Sequence, residues 1–390
     1  MARGSLCAPR GGPPSLTWIL DEAPSGRSQT HALVVGVGAY PHLTGSAAVA
    51  DRPLRQLPFA PAGARAFASW LLATPLSVPS APLASLALLT SDVDGPATFT
   101  DPRDGTAHAV GVPDMAALTD AIREWRRRAD RHPENVALFY FCGHALGSPG
   151  EAALLASDYG APAPPTRAID LGALLAAMEH VGARRQCWFL DVSWSRPLGG
   201  LDDMGDRHVL GAVAAHGPRS SNVAVYWASG AEPWDARAAP TTRFTDALLR
   251  ALNGAGSRHA GAGWSVSTHT LAEGIAVAME RELHIGDVPH QEAAACTGAE
   301  FDLHVLGRPP VVPVAVTCAL PAACRGAELI VTSPDGRARP AMPSDDGEWV
   351  IDLECATEAY AFEVRAGAVR GSAAVRVQPP GRDVRIELRG

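Results

Sequence analysis

The run Phe139-Tyr140-Phe141-Cys142-Gly143-His144 and the later run Gln186-Cys187-Trp188-Phe189-Leu190-Asp191-Val192-Ser193 decide how this chain is expected to fold. Each is a short apolar stretch that ends on a polar residue able to do chemistry. A continuous run of that length suits a strand buried on both faces, as in a parallel sheet covered by helices. Ligands of such sheets sit outside the carboxyl ends of the strands, and His144 and Ser193 are expected just there, following two adjacent strands. Taken singly, His144 reads as a loop histidine and Ser193 as a turn serine. The pair on neighbouring elements is what favours a site.

On either side of these runs, strand-like and helix-like segments alternate. Strands are expected over 31–37, 83–89, 136–142, 187–190, 222–228 and 301–306, and helices over 63–73, 113–131, 242–252 and 269–283. Asp114 and Asp170 each precede an apolar repeat at helical spacing and are expected to cap it, with Arg126, Arg127 and Arg128 suiting the C-terminal end of the first such helix. This alternation specifies an α/β domain around a largely parallel sheet of six strands. After Arg308-Pro309-Pro310 the pattern changes to short apolar runs separated by turn signals such as Pro334-Asp335-Gly336, which reads as a small all-β sandwich. The expected division is an irregular lead-in over 1–30, an α/β domain over 31–308 and the sandwich over 309–390.

Composition narrows the classes. The net charge is −8, with both signs spread along the chain, so nothing suggests a nucleic-acid surface. No stretch reaches the apolar length of a membrane span, and the N-terminus lacks the apolar core of a signal peptide. The seven cysteines form no C-x-x-C pair, and their odd number and wide spacing argue against a zinc site or a disulfide framework. A cytoplasmic location is expected, with no metal and no cofactor. Cys142 and Cys187 lie within apolar runs and read as small buried hydrophobes. The glycine at 143 allows close backbone approach, so amides around Gly143 and Ser193 are candidates for an oxyanion hole.

The two runs together resemble the catalytic segments of caspase-like cysteine peptidases, in particular the bacterial and metacaspase-like members. There a strand leads into Gly-His, and a second strand leads into Asp-x-Cys. The resemblance covers roughly residues 30–307, through Phe244-Thr245-Asp246-Ala247-Leu248-Leu249, and implies a caspase-like three-layer sandwich, with the C-terminal sandwich outside it. By this resemblance His144 and position 193 are the catalytic dyad. Asp191 lies in the first specificity pocket and selects Arg or Lys, and Asp158 sits at the pocket rim or has a structural role. The alternative for Asp191 is a residue that ties down the strand-end loop. Trp194, Trp227 and Trp234 either wall the substrate groove or pack the core. The linker between the fourth and fifth strands is cut in the family, which makes Arg207 and Arg219 candidate activation sites.

The chain departs from the family at the nucleophile, which is Ser193. A thiol supplies some thiolate at neutral pH, whereas a hydroxyl supplies none and needs a base fixed by a third group. Three readings follow: a Ser replacement that holds an inactive protein, a natural degenerate site, or a working serine. The intact His144 and Asp191 favour the first. The implied activity is a zymogen-type endopeptidase that acts on protein substrates in bacterial regulated proteolysis or antiviral defence, with an activating protease or regulatory partner. A non-catalytic pseudo-protease that binds or regulates a partner is the main alternative, and a scaffold that acts through the sandwich is a third.

Overall fold

The structure is a computed structural model and describes residues 18–22, 26–43, 54–74, 81–148, 151–162, 167–197, 209–210, 222–229, 241–261, 263–283, 292–319, 326–341 and 348–389. These residues form two compact units, one ending at Thr242 and one beginning at Arg243.

The first unit is α/β. In chain order it holds β1 (Trp18–Asp21), β2 (Thr30–Val37), α1 (Ala60–Ala73), β3 (Leu83–Ser91), β4 (Thr98–Thr100), β5 (Ala107–Ala109), α2 (Met115–Ala129), β6 (Val136–Ser148), β7 (Glu151–Leu155), β8 (Ala168–Asp170), α3 (Leu171–Met178), β9 (Arg185–Ser195) and β10 (Asn222–Ser229). Strands β3, β2, β6, β9 and β10 lie side by side in that order and all run parallel. Every residue of β2 is buried, as its unbroken apolar run requires.

Helices cover both faces of this sheet. Successive strand residues point to opposite faces, and the aromatics record it. Phe67 of α1 stacks on Tyr140 at 5.0 Å between ring centroids and meets Phe189 edge-on at 5.4 Å. Trp125 of α2 packs on Phe139 at 5.7 Å and on Trp188 at 5.5 Å. The two expected caps are present: Asp114 Oδ1 accepts from Ala117 N and Asp170 Oδ1 from Ala173 N, each at 2.8 Å.

Three features differ from the sequence expectation. The lead-in is not irregular throughout, because β1 adds to the edge of β3 in the antiparallel sense. Arg128 of α2 pins it, standing 3.8 Å from the Trp18 ring centre and donating to Asp21 at 2.6 Å. The segment expected as a sixth parallel strand, 301–306, instead forms β14 in a separate antiparallel sheet of the second unit. Finally, β6 and β9 run on past their apolar stretches, and β7 folds back along the end of β6, pairing Ala145 with Leu154 through Ser148 with Glu151.

The second unit begins with α4 (Arg243–Arg250), a π-helical turn (Ala251–Ala255), β11 (Ser257–Ala260), β12 (Gly263–Ser267), α5 (Thr268–Leu283), β13 (Glu292–Thr297) and β14 (Asp302–Leu306). The expected helix over 242–252 therefore ends in a wider turn. Gly254 there has φ 136°, and a Cβ on it would meet Pro310 at 2.3 Å, so glycine is needed on two counts. Strands β11, β12 and β14 form an antiparallel sheet.

Beyond 308 the unit is all-β: β15 (Val311–Cys318), β16 (Glu328–Thr332), β17 (Ala338–Ala341), β18 (Glu348–Glu354), β19 (Ala359–Ala366), β20 (Val369–Arg376) and β21 (Arg382–Ile386). They make two sheets, β18-β15-β21 and β17-β16-β19-β20, whose alternate residues share one core, including Val314, Leu329, Phe362 and Val384. Trp264 of β12 is part of that core and Leu306 packs against it. The change of pattern thus falls near 308, while the compact units divide at 242–243. Cys318 is disulfide-bonded, contrary to the expectation from cysteine count and spacing; its partner lies outside the described residues.

Candidate active site

The register of β6 on β9 builds the site. Cys142 lies opposite Asp191, Gly143 opposite Val192 and His144 opposite Ser193. Opposed residues of a parallel pair point to the same face, about 5 Å apart. His144 and Ser193 are therefore neighbours on the α1 face, two residues beyond Cys142 and Asp191. They lie within the strands rather than after them, which corrects the expected position.

His144 is 3 % exposed. Its Nε2 lies 2.7 Å from the carbonyl oxygen of Arg55, and since a carbonyl only accepts, Nε2 carries the proton and Nδ1 the lone pair. Nδ1 is buried without a hydrogen-bond partner. Burial lowers the His144 pKa below the ordinary imidazole value, partly countered by the Arg55 carbonyl and the Ser193 backbone. The Ser193 backbone is near enough to oppose the shift but does not complete a hydrogen bond to Nδ1. At neutral pH this is an oriented, uncharged base. The backbone carbonyl takes the orienting place that a carboxylate holds in a serine triad.

Tyr40, fully buried, holds the other end of the residue. Its hydroxyl accepts the His144 N–H at 2.9 Å, and its ring lies 5.1 Å from the imidazole at 49°. Gly143 makes room for this contact, because a Cβ there would stand 2.9 Å from Tyr40 Oη and 3.0 Å from the Phe141 ring. Gly143 and Ser193 themselves sit inside the β6–β9 ladder, opposite Val192 and His144.

Asp191 is buried. Its Oδ2 accepts from Tyr140 Oη at 3.3 Å and from the Thr242 hydroxyl. Burial, with the Asp191 carboxylate beside it, pushes the Cys142 thiol well above its ordinary value, and burial does the same to Cys187. Neither thiol has the character of a nucleophile. Asp158 accepts from Met115 N at 3.0 Å through Oδ1 and from Arg167 through Oδ2, so both oxygens are engaged in tying α2 to the segment before β8. Trp194 is buried and donates to the Ala228 carbonyl at 2.7 Å, while Trp227 is half-buried. Arg207, Arg219 and Trp234 lie outside the described residues.

The sequence reading missed Tyr40, Arg55, Gln56 and Thr242. Arg55 acts through its backbone, which no residue type advertises; Tyr40 follows a strand in Gly38-Ala39-Tyr40, a weak signal by itself. Among the described residues no group of three or more His, Cys, Asp or Glu side chains is placed to hold a metal, and no helix is long and apolar enough to cross a membrane. No family model matches the chain, and no curated protein matches it.

Proposed function

We propose that the chain is a caspase-like endopeptidase in which His144 and position 193 form the dyad, with the Ser193 form inactive. The observation that carries this reading is the register pairing of His144 with Ser193, beside a base kept neutral by burial and oriented by the Arg55 carbonyl. With a thiol at 193, Nδ1 takes the thiol proton as the sulfur attacks a peptide carbonyl, and returns it to the amine that leaves. Water then releases the acyl group. With a hydroxyl no thiolate forms, and the His144 ring makes no hydrogen bond to Ser193 Oγ: Nε2 bonds to Arg55 and Nδ1 has no partner.

Asp191 is the group we assign to recognition of a basic residue before the cut. An Arg guanidinium there displaces the Tyr140 and Thr242 hydroxyls and pairs with the carboxylate. Asp158 is assigned a structural role. Protein substrates in regulated proteolysis remain the proposed context, with cleavage of the linker after Arg207 or Arg219 the proposed activation step.

A second reading, a non-catalytic protein that binds a peptide or regulates a partner, is favoured by the absence of a hydrogen bond from the His144 ring to Ser193 Oγ. Hydrolysis of a peptide library by the Ser193→Cys chain, before and after limited proteolysis, separates the two. Turnover that disappears on adding His144→Ala supports the peptidase. Inertness of Ser193→Cys in both conditions supports the binding protein.

A further inference from the structure

The two atoms that hold His144 come from chain segments joined by one side chain. Tyr40 Oη accepts the His144 N–H and Arg55 O accepts from Nε2. Between them stands Gln56. Its Oε1 accepts the Tyr40 N–H at 2.6 Å and its Nε2 donates to the Tyr40 carbonyl at 3.0 Å, a two-point bond that needs donor and acceptor on one planar group. Glu lacks the donor. Asn is one methylene short.

The segment it grips is itself anchored. Gly38 and Ala39 donate to the Ser91 carbonyl at 3.0 and 2.9 Å, and also reach Ser91 Oγ; Leu57 donates to the Gly38 carbonyl at 2.8 Å. Residues 38–40 are thus fixed to β3, and residues 56–57 are fixed to residues 38–40. The Arg55 carbonyl is the peptide oxygen immediately before Gln56, so where that amide sits decides where the acceptor of His144 sits. Gln56 is solvent-exposed, and neither of its bonds contributes core packing.

We propose that Gln56 is a positioning residue for His144: its two-point bond to the Tyr40 backbone holds Tyr40 Oη and the Arg55 carbonyl in the arrangement that fixes the imidazole and leaves Nδ1 as the free nitrogen. The kinetic part of its test rests on the peptidase reading; the spectroscopic part does not.

Long-range nitrogen–proton spectra of the full chain, with Ser193 in place, report the tautomer and titration of His144 whether or not the protein turns over substrate. The expected parent spectrum is the Nε2–H tautomer with a titration below the ordinary imidazole value. Gln56→Ala mixes the tautomers and moves the titration further downward, because the displaced Arg55 carbonyl no longer favours the protonated ring; Gln56→Glu, which keeps the acceptor for Tyr40 N–H, falls between. Tyr40→Phe, which removes one hydroxyl, shifts His144 in the same direction and covers the case in which Gln56→Ala fails to fold. In the Ser193→Cys background Gln56→Ala lowers kcat roughly tenfold or more, with KM within about twofold. A His144 tautomer and titration unchanged in folded Gln56→Ala or Tyr40→Phe overturns the proposal. If Ser193→Cys is inert, the peptidase reading fails and the spectra alone decide the role of Gln56.

Discussion

At the scale of single residues, His144 is a buried histidine whose Nδ1 has no hydrogen-bond partner and whose register neighbour is Ser193. His31 is buried too, but its Nδ1 pairs with Ser85 Oγ at 2.8 Å and its pKa is lowered to about 4, by burial first and then by Arg128 and Arg131. The sign follows from linkage. Neutral His31 is favoured in the fold, so the unfolded chain binds more protons below the ordinary value of 6.5. Its contribution is complete above that value and declines as pH falls toward 4. We expect about 2 kcal/mol of stability to be lost through His31 between pH 7.5 and 5. Urea unfolding at the two pH values measures it; His31→Gln reduces the difference, and an equal difference in both proteins contradicts the assignment. For Asp191, Asp191→Ala in the Ser193→Cys background is expected to reduce the preference for Arg over Asp before the cut by at least about tenfold. A parent enzyme that cleaves both alike removes Asp191 from specificity. The placing of His144 beside Ser193 was legible in the sequence because each follows an apolar run that reads as a buried strand. The Arg55 carbonyl was not, because every residue has one.

At the scale of elements, the helix caps and the buried strands were legible because Asp before an apolar repeat and an unbroken apolar run each have a direct physical meaning. Strand ends were not. The extension of β6 past His144 pairs with β7 folding back along it, a long-range event with no local signal. Strand β1 was missed for the same reason: four residues bordered by Gly, Pro and Ser become a strand only against β3, with Arg128 from α2 holding Trp18 and Asp21. Arg128→Ala removes the cation from the Trp18 ring along with its bonds to Asp21 and Glu124, a loss of about 2 kcal/mol from the local opening of β1. Hydrogen exchange is expected to accelerate roughly 30-fold at Ile19 and Leu20 while β2 and β6 keep their protection. Unchanged exchange at Ile19, or equal acceleration in β6, contradicts this anchoring.

At the scale of the molecule, the α/β class and the change to an all-β pattern were legible in the order of elements. The compact division at 242–243 was not, because it depends on packing such as that of Trp264 and Leu306 with the sandwich core, and on no change in composition. The disulfide at Cys318 was equally hidden, since spacing along a chain does not report which sulfurs meet. The proposed peptidase requires that His144 act on position 193. Its most direct test is the pH dependence of iodoacetamide alkylation in the Ser193→Cys chain, with and without His144→Ala, read by peptide mass mapping so that Cys142, Cys187 and the exposed Cys296 are scored separately. The thiol at 193 is expected to react with a midpoint below the free-thiol value of about 8.5, and His144→Ala to move the midpoint up to that value or beyond. Matching profiles in the two proteins, both at or above the free-thiol value, would contradict it.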